Sequence, residues 1–318
     1  MLPSSPAGVF PLADEQLDMF GETAPPSRKP TALDLPTPLG LEPNPSHPPK
    51  LLIGACAWNH PSFERHFYPE GLAKKDQLSY YARFFNAIEV DSTFYRVPRR
   101  ETVENWAART PDDFRFAVKV PRSVTHEGKL DLENRDVRVE WELFRRAIEG
   151  FGEKLSTVLL QLPPRMSLSR FAELKRVLAE ATGLPFVIEF RHPSWNIAEV
   201  RDALREAGVV RAWSDHYLDP SRKVTEQTSH LFDATGPFRF VRLLGDMTTK
   251  YNPDAPDGKN YRYGSILFDR REDLAKWKAR IARDLHAGVP VEVFINNHYG
   301  GNSLLTADKI RRMLLEKD

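Results

Sequence analysis

The residues best equipped for chemistry in this chain sit in short runs that begin apolar and end charged. In "FVIEFRHPSW", residues 186–195, Phe186, Ile188 and Phe190 alternate with Val187, Glu189 and Arg191 before His192, Pro193 and Trp195. A strand projects successive side chains to opposite faces, so Glu189 and Arg191 share the face opposite the aromatic stripe. Burying such charges costs several kcal/mol unless they are paired, so they are either used or satisfied. The same alternation puts Glu89 and Asp91 on one face of "AIEVDST", Lys119 in "FRFAVKVP" and Gln161 in "STVLLQLPP". It does likewise for Arg211 and Asp215 in "VVRAWSD", Arg242 in "FRFVRLLG" and Asn296, followed by Asn297, in "VEVFINN". Carboxylates in unlike surroundings divide acid and base work. A guanidinium offers a planar fork to phosphate or carboxylate. The chemistry expected is therefore proton transfer on an anionic substrate, by a hydrolase or by a lyase or isomerase. Glu89 and Glu189 are the acid–base candidates, joined by Lys119 and His126. Asp91, Tyr95, Gln161, Arg191, His192, Trp195, Arg242, Asn296 and Asn297 are the candidate substrate contacts.

These groups need a scaffold that brings strand ends together. Counting "LLIGACAW" from residue 51, eight such runs occur, and most intervals between them read as amphipathic helix. In "VRVEWELFRRAIEGF" the periodicity predicts a buried stripe of Val139, Leu143, Ala147 and Ile148; only residues 216–237 show no convincing helix. Alternating strand and helix implies a parallel sheet, and eight repeats in about 270 residues fit a (β/α)8 TIM barrel. A doubly wound open sheet is the alternative, but "GACAWNHPSF" is not the glycine-rich turn that binds a nucleotide there. Barrel sites lie at the C-terminal strand ends, where most of these polar groups fall. Loops add a rim: Phe63, His66, Phe67 and Tyr68 after the first strand, Arg122 and His126 after the third. Tyr251, Lys259, Tyr261 and Tyr263 follow the seventh in a loop long enough to act as a lid. His126, His192, His216 and His298 lie near strand ends without a diagnostic metal spacing, so a divalent metal is the less favoured reading and any other cofactor is unknown. Cys56, beside Gly54, reads as a packing residue rather than a nucleophile.

Composition narrows the class further. The 318 residues carry 45 Lys and Arg against 44 Asp and Glu, a formal charge of +1 that argues against a strongly basic nucleic-acid binder but leaves room for a local basic patch. One cysteine excludes an internal disulfide framework and fits a reducing compartment. No apolar run approaches a membrane span of roughly 20 residues, so a cytoplasmic protein with no membrane partner is expected. Residues 1–49 hold 12 of the 26 prolines and only two aromatics. They read as a disordered Pro-rich arm ahead of a domain at 50–318.

The motifs "GACAW", "FYP", "YYARFFNAIEVDSTFYRVP", "LLQLPP", "VIEFRHPSW" and "FINNHYGG" together resemble the YecE-like family, a domain of unknown function, over nearly all of 50–318. The resemblance implies a TIM barrel and no particular reaction. Its characteristic polar positions fall on Glu89, Ser92, Tyr95, Lys119, His126, Gln161, Glu189, Arg191, His192, Trp195, Asn296 and Asn297. Asp91 stands where Asn is usual, and Cys56 where Ser is common. Within the arm, "EQLDMFGE" resembles the short peptide with which bacterial DNA-metabolism proteins dock on the sliding clamp, through Gln16, Leu17, Met19 and Phe20. The leading expectation is an enzyme acting on an anionic small molecule or a nucleic acid at the barrel mouth. The alternatives are a non-catalytic nucleotide or nucleic-acid binding module and a clamp-tethered adaptor.

Overall fold

In the computed structural model, residues 32–180, 183–215, 234–245 and 263–316 are described. The strands are β1 (Leu51–Ala55), β2 (Ala87–Val90), β3 (Arg115–Lys119), β4 (Leu155–Gln161), β5 (Phe186–Glu189), β6 (Val210–Arg211), β7 (Trp213–Ser214), β8 (Arg239–Leu243) and β9 (Val291–Ile295). The helices are α1 (Pro61–His66), α2 (Gln77–Tyr81), α3 (Ser92–Tyr95), α4 (Arg100–Ala108), α5 (Arg135–Ile148), α6 (Phe171–Glu180), α7 (Ala198–Glu206), α8 (Arg271–His286), α9 (Asn297–Gly300) and α10 (Ser303–Leu315). All strand pairs are parallel, in the orders β1-β9-β8-β7 and β2-β3-β4-β5-β6. The α/β class and the eight apolar runs are therefore present. The sixth run divides into β6 and β7 at Ala212, whose N–H donates to Ile188 O at 2.8 Å while Trp213 already pairs with Val241.

Between β1 and β2 the described residues form no ladder. Side chains bridge the gap instead. Asn86 Oδ1 accepts from Ile53 N–H (2.9 Å) and its Nδ2 donates to Leu51 O (2.8 Å). Tyr81 OH accepts from Ala55 N–H (2.8 Å) and donates to Ala87 O (3.0 Å). The strands approach so closely that a Cβ on Gly54 would lie 1.9 Å from Ala87 O, which is why this strand interior holds a glycine.

Two apolar clusters explain the strand patterns. The larger joins the strands to the helices. The smaller consists of strand residues and their immediate ends, among them Ala87, Ala117, Leu159, Val187, Phe240 and Phe294. Two positions further along each of those strands stand Glu89, Lys119, Gln161, Glu189, Arg242 and Asn296, which the period of two places on the same face. Two positions earlier on β4 and β9 stand Thr157 and Glu292, also buried. The inner face thus carries a polar layer at the N-terminal end, an apolar middle and a charged layer at the C-terminal end.

Two sequence expectations need correction. On α5 the buried residues are Val137, Trp141, Phe144, Ala147 and Ile148, so Ala147 and Ile148 are buried as expected, while Val139 and Leu143 are about half exposed. The spacing of four, three and four puts the two large rings toward the sheet, and about a third of a turn of rotation carries Val139 and Leu143 outward. Residues 32–49, expected to belong to an unstructured arm, lie against the fold. Thr37 Oγ1 donates to Phe67 O (2.8 Å), Tyr80 OH to Leu35 O (3.1 Å) and Arg311 Nη1 to Ser46 O (2.7 Å), and Leu41 is buried. Proline lowers the chain entropy lost on ordering, so a few anchors suffice to seat such a segment. The weakly patterned stretch 216–237 and the 251–261 lid residues lie largely outside the described residues, as do His216 and Gln16, Leu17, Met19 and Phe20.

Candidate functional site

The charged layer is organised around one guanidinium. Arg242, from the C-terminal end of β8, is 2% exposed and reaches two carboxylates that are wholly buried. It grips Glu89 of β2 with both arms, Nε to Oε2 at 2.8 Å and Nη2 to Oε1 at 2.5 Å, and its Nη1 donates to Glu189 Oε2 of β5. Glu189 Oε1 accepts from Arg191 Nε at 2.7 Å. All four carboxylate oxygens are thereby hydrogen-bonded. The bidentate fork is a geometry that lysine could not supply.

The two glutamates answer this setting in opposite directions. Glu189 has two guanidiniums beside it, and they hold its carboxyl well below the usual range against a burial penalty that pushes upward. Glu89 shares Arg242 with Glu189 and has the Asp91 carboxylate nearby. Arg242 favours the anion at Glu89, but burial and Asp91 outweigh it and push the group up to about 7. Arg242 itself is held charged by its two carboxylates in spite of burial.

Above this buried cluster opens a cavity of about 660 Å³. Its lining includes Asp91, Tyr95, Lys119, His126, Gln161, Arg191, Arg242, Asn296 and Asn297, nine of the residues expected from sequence. Glu89 and Glu189 lie beneath it and are not among the lining residues. His192 and Trp195 are placed elsewhere. His192 caps a short 3-10 turn by accepting from Ser194 N–H (3.2 Å). Trp195 is fully buried, stacked on Phe190 at 5.1 Å, with its indole N–H donating to Met166 O at 2.7 Å. Arg211 and Asp215, also expected on the inner face, do not line the cavity. Arg211 donates to Asn196 Oδ1 and lies over the Phe190 ring, while Asp215 accepts backbone N–H groups of Leu244 (2.5 Å) and Gly245 (2.9 Å).

Two polar groups at the cavity wall lack hydrogen bonds among the described residues. Lys119 Nζ, on a side chain only 11% exposed, lies 3.5 Å from Asp91 Oδ1 and 4.2 Å from the centre of the Phe94 ring. Asp91 Oδ1 is buried and has no hydrogen-bond partner. Native proteins seldom leave such groups unsatisfied, and sites that bind something are the usual exceptions.

His126 stands beside them. Burial, followed by the charges of Lys119, Arg191 and Arg122, pushes its imidazole down to about 4, so it is neutral at physiological pH. Thr125 Oγ1 donates to Pro121 O (3.0 Å) and meets His126 Nδ1 at 2.9 Å. With its proton committed, the hydroxyl accepts from Nδ1–H, which leaves the basic lone pair on Nε2.

The sequence reading missed His60. It enters the cavity from the loop after β1, its ring 5.6 Å from Tyr263. A signal was available. "HPSF" at 60–63 and "HPSW" at 192–195 repeat one device, in which His Nδ1 accepts from the Ser N–H at 3.2 Å in both loops. That bond fixes the proton of neutral His60 on Nε2, and burial with the nearby His298 keeps its pKa low.

For a metal, Cys56 Sγ and carboxylate oxygens of Glu89 and Asp91 lie within 4.8 Å of one another. The donor set fits a cation poorly here. Both Glu89 oxygens are held by Arg242, and burial beside Glu89 drives the Cys56 thiol well away from thiolate. Cys56 is thus buried against the charged layer rather than poised as a ligand or nucleophile.

Fold and site together define a parallel α/β protein whose charged strand ends floor a half-open polar cavity. Residues 52–318 match the family described as protein of unknown function DUF72, and the chain belongs to that family. Among curated relatives it is similar to UPF0759 protein YunF of Bacillus subtilis (strain 168), 25% identical over 274 residues that cover 83% of this chain and 93% of the relative. It is also similar to UPF0759 protein YecE of Escherichia coli (strain K12), 30% identical over 219 residues, 62% of this chain and 76% of that one. Among solved structures, a DUF72 family protein from Thermotoga maritima MSB8 aligns with a TM-score of 0.64 and 25% identity, over 84% of this chain and 99% of the other. One from Enterococcus faecalis V583 aligns with a TM-score of 0.64 and 18% identity, over 84% and 96%. The YecE-like resemblance read from the motifs is borne out.

Proposed function

We propose that this chain is a (β/α)8 barrel enzyme that binds an anionic, phosphorylated or carboxylated substrate at the C-terminal mouth and moves a proton on it. The barrel reading is supported by the one-residue break between β6 and β7, by the side-chain-bridged contact of β1 with β2 and by the inner cluster of strand residues. The observation that carries the functional reading is the loose ion pair of Lys119 Nζ and Asp91 Oδ1, neither of which has a hydrogen bond among the described residues, at the wall of a half-open cavity. An anionic oxygen arriving there would take the idle ammonium donors, and a hydroxyl of the same molecule would satisfy Asp91.

In this reading Arg242 and Arg191 add positive potential in a low-dielectric recess, where it is worth more than in water. His126 Nε2 is the base, kept free of protons first by burial and then by the cations around it. His60 Nε2–H is a matching donor across the cavity. Glu89 and Glu189, expected from sequence to be the acid–base pair, serve here as the carboxylate bed that holds Arg242 in place, because none of their oxygens is available to a ligand. The most direct test is Lys119→Met, profiled by thermal shift against phosphorylated and carboxylated metabolites beside wild type. Wild type should be stabilised by one class and the variant by none, with the variant's own melting temperature unchanged or raised. Equal loss of ligand response and stability would make Lys119 a structural ion-pair member and end the site reading.

A further inference from the structure

The mouth does not stand alone. Two further recesses abut it, and each shares wall residues with it. One, of about 850 Å³, runs between the loop after α3 and helix α5 and has Tyr95 and Arg122 in common with the mouth. The other, of about 620 Å³, lies along the loop after β4 and has His126 in common. Across the three, eleven Lys and Arg line the walls against four carboxylates, Asp91, Glu101, Glu127 and Glu140. Four of the eleven, Arg100, Arg170, Arg191 and Arg242, are paired with carboxylates outside these walls, but the rest still outnumber the wall carboxylates in a chain that is nearly balanced, at +1. Five of those cations (Arg96, Arg99 and Arg146 in the first groove, Lys129 and Arg165 in the second) are exposed and have no ion pair or hydrogen bond among the described residues. Glu127, by contrast, is already taken by Arg122 at 2.9 Å, and Glu140 by the Ser123 hydroxyl at 3.2 Å.

At the junction of the first groove and the mouth stands Tyr95, 73% exposed, a large ring with almost nothing covering it. Idle cations on both sides of a recessed site, with a bare aromatic at its lip, suit a chain of phosphates carrying flat bases. A single small anion would occupy one recess and leave the others without purpose. A duplex is excluded by depth, since Lys119 and Arg242 are 8% and 2% exposed and only an unstacked nucleotide could reach them.

We infer that the two grooves and the mouth form one continuous track for a single-stranded nucleic acid, with one nucleotide seated in the mouth, a base stacked on Tyr95 and flanking phosphates on the free arginines and lysines. This inference rests on the mouth being an anion site and names its substrate class.

The test uses the full chain and three fluorescently labelled probes, a dodecamer of deoxythymidine, a dodecamer of uridine and a 12-base-pair DNA duplex, with unlabelled thymidine monophosphate as competitor. At least one single strand should bind, and whichever of the two binds more tightly identifies DNA or RNA. The strand should bind at least tenfold more tightly than duplex or mononucleotide. Its binding should weaken steeply with salt. The quadruple variant Arg99→Gln, Arg146→Gln, Lys129→Gln and Arg165→Gln should flatten the log–log salt slope by about 3, from roughly 0.7 per lost phosphate contact. Thymidine monophosphate, read by thermal shift, should respond equally to wild type and variant, which also checks that the variant is folded. Tyr95→Ala should weaken the strand by roughly 5- to 150-fold, the range for loss of one stacked base. Mononucleotide binding without tighter strand binding would overturn the track and spare the mouth. So would a duplex bound as well as the strand, or a quadruple variant with unchanged affinity and slope. Failure of the strands and of every small anion would sink both.

Discussion

Replacing Glu292 with glutamine should stabilise the protein at alkaline pH and much less at acid pH. Glu292 is buried at the N-terminal end of the inner face, 6% exposed, and its Oε2 accepts from Thr157 Oγ1 at 2.9 Å and Ser156 Oγ at 3.1 Å. No cation touches it among the described residues. Burial therefore dominates over the two hydroxyls and the more distant Arg115, and pushes the carboxyl from 4.5 up to about 7. A carboxyl raised in the folded state favours folding when protonated. The contribution is complete below the unfolded value of 4.5 and is lost as pH rises through 7. At about 1.4 kcal/mol per tenfold change in proton affinity, the loss amounts to about 3 kcal/mol by pH 8. Glutamine is neutral throughout, and its amide oxygen can accept from both hydroxyls. The difference in melting temperature between variant and wild type, by scanning calorimetry, should be about +2 °C at pH 5 and about +6 °C at pH 8, at roughly 2 °C per kcal/mol for a domain of this size. Taking the difference cancels every group the two proteins share. A difference that does not change between pH 5 and pH 8, or a variant less stable at pH 8, would mean that Glu292 is ionised and paired, and the reasoning would fail.

Other expected outcomes follow from the same physics. Arg242→Leu removes the only side chain bonded to Glu89 among the described residues, and should lower stability by about 3–5 kcal/mol in urea titrations. A loss under 1 kcal/mol would show that the carboxylates rearrange or take up protons freely. Leu41→Ala should cost about 2 kcal/mol if residues 32–49 contribute to the fold as their contacts indicate, and an unchanged melting temperature would reduce that segment to a passive covering. If the N-terminal peptide docks on the sliding clamp, wild type should bind purified clamp in the micromolar range in fluorescence anisotropy, and changing Gln16, Leu17 and Phe20 to Ala should abolish that binding. Clamp binding that survives the change would remove the peptide from consideration.

The legible part of this protein was its periodicity. Strand alternation singled out Glu89, Lys119, Gln161, Glu189, Arg242 and Asn296, and all six occupy equivalent positions on one face. What alternation conveys is a face and not a depth. It could not tell that Glu89 and Glu189 lie beneath the cavity while Asp91 and His126 line it, because that depends on how far Arg242 reaches across from β8. Loop residues gave still less. His60 carries no periodic signal, and only comparison of the two "HPS" turns reveals that it is fixed by the same bond as His192. Arg211 was misread because a two-residue strand that changes partner at Ala212 does not hold its alternation long enough to define a face. On α5, counting aliphatics hid the fact that Trp141 and Phe144 bury more area than Val139 and Leu143 and so set the helix rotation.

The side-chain bridge between β1 and β2 has a consequence for how the chain is made. Among the described residues the backbone ladder of β1 runs to β9 alone, Leu51 opposite Val291, a separation of 240 residues. At roughly 5–20 residues per second on the ribosome, β1 waits on the order of 10–50 s for its partner strand to be synthesised. Through that interval "LLIGA" is an apolar segment with an open edge, able to pair with any other exposed strand. The Leu51 N–H is met by Pro48 O, and Asn86 and Tyr81, which emerge within about 35 residues, are the next described groups that bond the strand's N–H and C=O groups. The bridge therefore supplies a provisional partner for an early strand whose permanent neighbour arrives last.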